Sequence, residues 1–183
     1  MTANRNRVRI IGGKWRSRLL RFPPAAQLRP TPDRVRETLF NWLGQRLDGL
    51  ACLDLFAGSG ALAFEALSRG ASRAVMVESD RIVAQALRDN VKLLEAQGAQ
   101  VVHGDAFAYL KGPGEKFDLA FLDAPYASDL AARAMEKLPP RLNPGARVYL
   151  ETSRPLEAGP PWTALREDRA GAVRYALFEL TSP

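Results

Sequence analysis

The sequence predicts an α/β protein: a mostly parallel sheet with helices on both faces, preceded by a small hairpin and a helix. Three observations predict it. From residue 51 onward, short apolar runs alternate with segments of helical periodicity, the pattern of strands covered by helices. A glycine-bearing turn, Ala57-Gly58-Ser59-Gly60, joins the first apolar run to the first helical segment, as at the ligand-binding turn of open α/β sheets. The 183 residues are 46% hydrophobic and 25% charged, which is the composition of one globular domain.

The elements follow in order. In residues 7–22 two short β-prone runs flank Gly12-Gly13, which reads as a hairpin ended by Pro23-Pro24. Pro30-Thr31-Pro32-Asp33 leads into a helix, with Thr31 as N-cap and Pro32 at its first position. Val35, Leu39, Trp42 and Leu43 carry the helical period to about Arg46. Strands are then expected at Ala51–Phe56, Arg73–Val77, Gln100–His103, Phe117–Leu122, Arg147–Glu151 and Val173–Leu180. Helices are expected at Ala61–Ser68, Asp80–Ala96, Ala106–Lys111 and Ser128–Leu138. Residues 1–48 are an N-terminal extension and 49–183 the main domain.

Composition excludes several classes. One cysteine, Cys52, and one histidine, His103, leave no disulfide framework and no Cys- or His-rich metal site. No apolar run approaches the ~18 residues of a membrane span, and the basic N-terminus lacks the apolar core of a signal peptide. The expectation is a cytoplasmic monomer with no membrane partner and no metal. Cys52 within an apolar run should be buried and inert.

Charge is uneven. Residues 1–36 hold ten Arg/Lys against one acid, Asp33, a net +9; the whole chain is +6, so the remainder is −3. Such an arm on a mildly acidic body points to a polyanion such as RNA, with a merely solvated surface as the plain alternative. Arg7, Arg9, Lys14, Arg16, Arg18 and Arg21 are the candidate RNA contacts. Trp15 among them serves either stacking or the hairpin's own core.

Asp54-Leu55-Phe56-Ala57-Gly58-Ser59-Gly60 and the following helix satisfy G-x-G-x-x-A, and Glu78 lies 18 residues after Gly60. That is also the form of a dinucleotide fingerprint, so an NAD oxidoreductase is an alternative. Asp54 counts against it, because a carboxylate there disfavours a pyrophosphate and suits a ligand bearing a cationic amine. Glu78 ends the second strand, where an acid can accept from both ribose hydroxyls. Asp105 follows the third strand, where it could receive an adenine amine. Together Asp54, Gly58, Gly60, Glu78 and Asp105, with Ser79 and Ala106 beside them, describe an adenosine pocket with an additional amine site.

Asp123-Ala124-Pro125-Tyr126 ends the fourth strand. With the loop Asp54–Gly60, Glu78 and Asp105, it resembles class I S-adenosylmethionine-dependent methyltransferases, in particular the D/N-P-P-Y/F signature of those that methylate exocyclic amines. Arg9–Arg16, Arg29–Trp42, Leu53–Gly60 and Ser68-Arg69-Gly70-Ala71 resemble the RsmD family, which methylates the N2 amine of a guanine in bacterial 16S rRNA. The resemblance spans essentially residues 8–180. It implies a Rossmann-like sheet with an antiparallel C-terminal strand, S-adenosyl-L-methionine as cofactor and S-adenosyl-L-homocysteine as product. It further implies 16S rRNA or a small-subunit assembly particle as partner.

The resemblance also implies that Asp123 and the Ala124 carbonyl accept the amine's two N–H bonds, and that Tyr126 stacks on the extruded base. Thr31 would close over the methionine end of the cofactor. Ala124 departs from the usual proline; its carbonyl remains, and Pro125 still restrains the loop. The competing readings are a DNA adenine or cytosine amino-methyltransferase and a non-catalytic RNA-binding ribosome assembly factor on the same fold.

Overall fold

The computed structural model describes residues 6–24, 28–125, 128–153 and 158–181. Strands β1 (Arg7–Arg9) and β2 (Leu19–Arg21) form an antiparallel pair, followed by helix α1 (Asp33–Leu43). Next come β3 (Ala51–Asp54), α2 (Ala61–Ser68), β4 (Arg73–Glu78), α3 (Arg81–Leu94), β5 (Ala99–His103), α4 (Ala106–Lys111), β6 (Phe117–Leu122) and α5 (Leu130–Lys137). The chain then forms β7 (Leu142–Thr152), β8 (Trp162–Ala170) and β9 (Val173–Leu180).

The main sheet runs β5-β4-β3-β6-β7-β9-β8. Strands β3 to β7 are parallel, while β9 is antiparallel to both β7 and β8. Helices cover both faces of the parallel strands, so these read as unbroken apolar runs; Leu119 to Leu122 are fully buried. Period-two alternation sends Cys52, Met76, Leu119 and Phe121 to one core layer, and Leu53, Val75, Ala120 and Leu122 to the other. Strand order reverses between β3 and β6, which opens a crevice at their carboxyl ends.

The N-terminal elements share the first of these layers. Val8, Ile10, Trp15, Leu20 and Phe22 of the hairpin, and Val35, Leu39 and Phe40 of α1, pack in one cluster with Leu62, Phe64 and Leu67 of α2. Polar anchors fix them there. Glu65, completely buried on α2, accepts from the backbone N–H of Ile11 (2.8 Å) and Gly12 (2.7 Å). It also receives Arg69 Nε at 2.9 Å and Arg36 Nη1 at 3.4 Å. A buried carboxylate is tolerated only with this kind of compensation. Gly13, at φ +74°, lies so close to α2 that a Cβ would sit 1.8 Å from the Ser68 carbonyl oxygen.

Several boundaries differ from expectation. The hairpin connection is not a tight Gly12-Gly13 turn: it carries a 3₁₀ turn at Gly13–Trp15 and closes through Ile10 N–H to Arg18 C=O at 2.9 Å. Docking of that loop on Glu65 and Ser68 sets its shape. Pro32, not Thr31, caps α1, and the helix stops at Leu43. β7 begins at Leu142, ahead of the expected Arg147. β8 has no counterpart among the expected strands: only Trp162 of its nine residues is buried, so this edge strand lacks the apolar alternation by which strands are read.

Candidate active site

A cavity of about 1320 Å³ opens at the carboxyl ends of β3 to β7, under the segment preceding α1. Ten of the expected site residues line it: Thr31, Asp54, Gly58, Glu78, Ser79, Asp105, Ala106, Asp123, Ala124 and Pro125. Gly60 lies behind the loop, at φ +76°. A Cβ there would stand 2.7 Å from Leu87 Cδ2 and 2.8 Å from the Phe64 ring, so only glycine lets the loop turn into α2 at this depth. Tyr126 is outside the described residues.

The loop is held by Glu78. Its Oε2 accepts from Gly58 N–H at 2.9 Å and its Oε1 from Asp80 N–H at 2.8 Å. A carboxylate offers about four acceptor positions, so two remain for a ligand diol. Asp105 caps α4 through Ala108 N–H at 2.8 Å while facing the same cavity, so capping and lining coexist in one side chain. Asp80 caps α3 through Ile82 and Val83.

Asp54 is 2% exposed, and among the described residues its Oδ1 has no hydrogen-bond partner. Burial, followed by the negative charge of Asp123, pushes its pKa up to about 8. An orphaned buried carboxylate oxygen beside a cavity is costly unless a ligand completes it, and a cation does so best. S-adenosylmethionine fits these residues: its ammonium matches Asp54, its ribose matches Glu78, and the chamber exceeds the ~300–1,000 Å³ of a typical single-ligand site.

At the end of β6, Asp123 Oδ2 accepts from Thr31 Oγ1 at 2.9 Å. Thr31 is itself positioned by Arg36, whose Nε donates to the Thr31 carbonyl at 3.2 Å. Glu151, at the end of β7, lines the same cavity as Asp123 and Thr31. Tyr149 Oη donates to Glu151 Oε1 at 2.7 Å. Burial raises the pKa of Asp123. Burial and the Asp123 charge push Glu151 up to about 8. Tyr149, Glu151 and Arg36 do not stand out in the sequence as site residues. Glu151 carries a visible signal, an acid closing an apolar strand as Glu78 does. Arg36 belongs by sequence to the basic arm but is fully buried.

The candidate RNA contacts Arg7, Arg9, Lys14, Arg16, Arg18 and Arg21 are all exposed on the hairpin. Arg7 and Arg21 face each other across β1 and β2, while Val8 and Leu20 point to the core. Trp15 is buried with Lys14 Nζ 4.3 Å above its ring, so it serves packing. Trp42 stacks on Tyr175 at 5.3 Å. Cys52 is fully buried, and burial raises its pKa to about 12, so it is inert. His103 Nε2 lies 3.2 Å from the Ser79 carbonyl.

A parallel sheet in this order, with an antiparallel C-terminal strand and an acid-lined cavity at its switch point, defines a protein of the class I methyltransferase type. Comparison with known proteins gives the particular family. The model of the family described as conserved hypothetical protein 95 matches residues 8–179. Ribosomal RNA small subunit methyltransferase D of Escherichia coli (strain K12) is 43% identical over 179 residues, covering 94% of this chain and 89% of that protein. The protein of the same name from Haemophilus influenzae is 43% identical over 180 residues, covering 94% and 93%. The chain belongs to this family, the RsmD family of class I S-adenosylmethionine-dependent methyltransferases. The solved structure of yhhF from Escherichia coli superposes with a TM-score of 0.89 at 41% identity, covering 97% of this chain and 99% of that one. An RNA methyltransferase from Salinibacter ruber in complex with S-adenosyl-L-homocysteine, 19% identical, shares the fold at a TM-score of 0.66, covering 85% and 95%.

Proposed function

We propose that this chain transfers a methyl group from S-adenosylmethionine to the exocyclic N2 amine of a guanine in small-subunit (16S) ribosomal RNA. The observation that carries this reading is Asp123, held by Thr31 at the wall of a chamber that also contains the orphaned Asp54 carboxylate. Family membership supports an rRNA substrate.

Asp54 would receive the ammonium of the cofactor, Glu78 its ribose, and Asp105 with Ser79 and Ala106 its adenine end. The bound cofactor supplies an electrophilic methyl carbon on a sulfonium. Asp123 and the Ala124 carbonyl accept the two N–H bonds of the target amine and turn its lone pair to the methyl. The N–C bond forms as the S–C bond breaks, and the bond pair stays on sulfur. Positive charge grows on N2, and the Asp123 carboxylate stabilises it. One proton then leaves the nitrogen through Asp123 to solvent. Alignment for in-line attack supplies much of the remaining acceleration. Tyr126 would stack on the extruded base.

Residues 1–48 contact RNA through the exposed arginines of the hairpin and cover the cofactor through Thr31. The protein would act as a cytoplasmic monomer on rRNA or an assembling small subunit. The test is transfer of labelled methyl to small-subunit rRNA, naked or in particles, followed by nucleoside mass spectrometry. N2-methylguanosine is expected; a methylated adenine or cytosine, or transfer to DNA alone, overturns the reading.

A further inference from the structure

We propose that Glu151 is the residue that selects guanine, accepting the ring N1–H that lies beside the amine held by Asp123. The proposal rests on the reading above that Asp123 receives the target amine.

Strand register places the two acids together. β6 and β7 are parallel neighbours, with Phe121 beside Tyr149 and Leu122 beside Leu150. Phe121 and Tyr149 face the core layer shared with α1, their ring centroids 6.5 Å apart, while Leu122 and Leu150 face the other layer. Alternation returns the next pair, Asp123 and Glu151, to the first side. Two hydrogen bonds fix them there: Thr31 Oγ1 to Asp123 Oδ2 at 2.9 Å, and Tyr149 Oη to Glu151 Oε1 at 2.7 Å. Neighbouring strands lie about 4.8 Å apart, so the two side chains stand next to each other, and both line the cavity. Each has one oxygen engaged by a protein hydroxyl and a second to offer a ligand.

Glu151 is the lining acid that the reaction has not yet used. Among the described residues, six carboxyls line the cavity: Asp54, Glu78, Asp80, Asp105, Asp123 and Glu151. The ammonium, ribose and adenine of the cofactor account for Asp54, Glu78 and Asp105. Asp80 caps α3, and Asp123 takes the amine. Arg29, exposed and two residues before Thr31, is the one arginine or lysine among the described lining residues, and no salt bridge ties it to Glu151.

Base chemistry says what a second acceptor is for. Guanine N2 has a ring N–H beside it, at N1. Adenine N6 and cytosine N4 each have a bare ring nitrogen there, which accepts. An acceptor next to the amine site therefore completes guanine and meets a lone pair in the other two bases. With the cationic cofactor in the chamber the charged form of Glu151 is favoured, and a carboxylate only accepts. Asp123 and the Ala124 carbonyl take the two amine N–H bonds, and Glu151 takes the third donor of the same edge.

The test uses small-subunit rRNA assembled by ligation, in which the guanosine methylated by wild type is kept or replaced by 2-aminopurine riboside. That analogue retains the 2-amine and has a bare N1. Wild type should act on guanosine with a kcat/KM roughly 10- to 100-fold above 2-aminopurine, the range of a hydrogen bond to a charged group. 6-Thioguanosine, which keeps the N1–H and changes only O6, should stay within a few-fold of guanosine. Glu151→Ala should lose the advantage, its kcat/KM on guanosine falling to that on 2-aminopurine. Its affinity for S-adenosyl-L-homocysteine should remain at the wild-type value, which reports an intact fold. Glu151→Gln keeps the shape, exchanges one acceptor for a donor, and should narrow the ratio as well. A residue that only braced Tyr149 or Asp123 would slow both substrates alike and leave the ratio unchanged. An undiminished ratio in the variants that bind S-adenosyl-L-homocysteine overturns the proposal while the functional reading stands on wild-type transfer to guanosine N2. Wild-type transfer to adenine or cytosine instead, or to no RNA, overturns that reading and the proposal with it.

Discussion

Thr31 donates its hydroxyl to Asp123 across 2.9 Å, joining the segment before α1 to the end of β6, 92 positions later. The cover of the cavity and the group expected to hold the amine are therefore one hydrogen-bonded unit. Thr31→Val keeps the shape and removes the donor. It should lower kcat by roughly 10- to 100-fold, the range for a hydrogen bond to a charged group, while Thr31→Ser restores most of the rate. Steady-state kinetics on rRNA decide; equal rates for the two variants would remove the hydroxyl from the mechanism.

Asp123→Ala should leave cofactor affinity near normal and cut the transfer rate by a large factor. Asp123→Asn, an acceptor without charge, should fall between. Calorimetry with S-adenosyl-L-homocysteine alongside single-turnover methylation separates the two quantities. Loss of affinity with an intact rate at saturation would reverse the assignment.

Asp54 makes cofactor binding a proton-linked event. In the folded ligand-free protein it titrates at about 8 rather than 3.8, so it is largely protonated at neutral pH. A cation beside it favours the charged form, and binding should release up to one proton near neutrality. The sign for stability follows from the raised pKa. The favourable contribution is complete below 3.8 and is lost as pH rises through about 8, so the Tm of the ligand-free protein should decline over that window. Asp54→Asn should abolish the proton release and flatten its share of the decline. Calorimetry in buffers of different ionisation enthalpy measures the first, and thermal scans the second.

Glu78→Ala should weaken cofactor binding by more than its ribose contacts alone, because Gly58 and Asp80 lose an anchor at the same time. Glu78→Gln keeps acceptor capacity and should retain part of the affinity. If both bind the cofactor as wild type does, the diol assignment is wrong.

Replacing Arg7, Arg9, Lys14, Arg16 and Arg18 by Gln should weaken RNA binding and flatten its salt dependence by ~0.7–0.9 for each phosphate no longer neutralised. Cofactor affinity should be unchanged. These side chains are exposed, while the hairpin is held by Trp15, Val8 and the backbone bonds to Glu65, so the fold should persist. An unaltered salt slope would place RNA recognition elsewhere, around the mouth of the cavity.

Local repetition is what can be read in this sequence. The apolar runs of β3, β4 and β6 and the glycine turn fall within a residue or two of their expected places, and the acids at three strand ends reach one cavity. Contacts between distant positions are not legible. Glu65 reads as an ordinary helical glutamate, yet it is fully buried and binds a loop 53 and 54 positions earlier. Arg36 reads as part of a basic surface but lies inside the fold. Thr31 reads as a helix cap, and its hydroxyl is engaged by Asp123 instead. β8 escapes because an edge strand facing solvent carries little periodic signal.

The Glu65 anchor sets an order of assembly on the nascent chain. Ile11 and Gly12 emerge from the ribosome well before the carboxylate that receives them has been synthesised, and Arg36 waits for the same group. Until α2 is complete, the hairpin lacks its principal polar partner and Thr31 lacks the brace formed by Arg36 and Glu65. The hairpin, though made before α2, thus settles only once α2 is in place. A chain interrupted before α2 carries the basic residues of the hairpin without the docked surface that holds them.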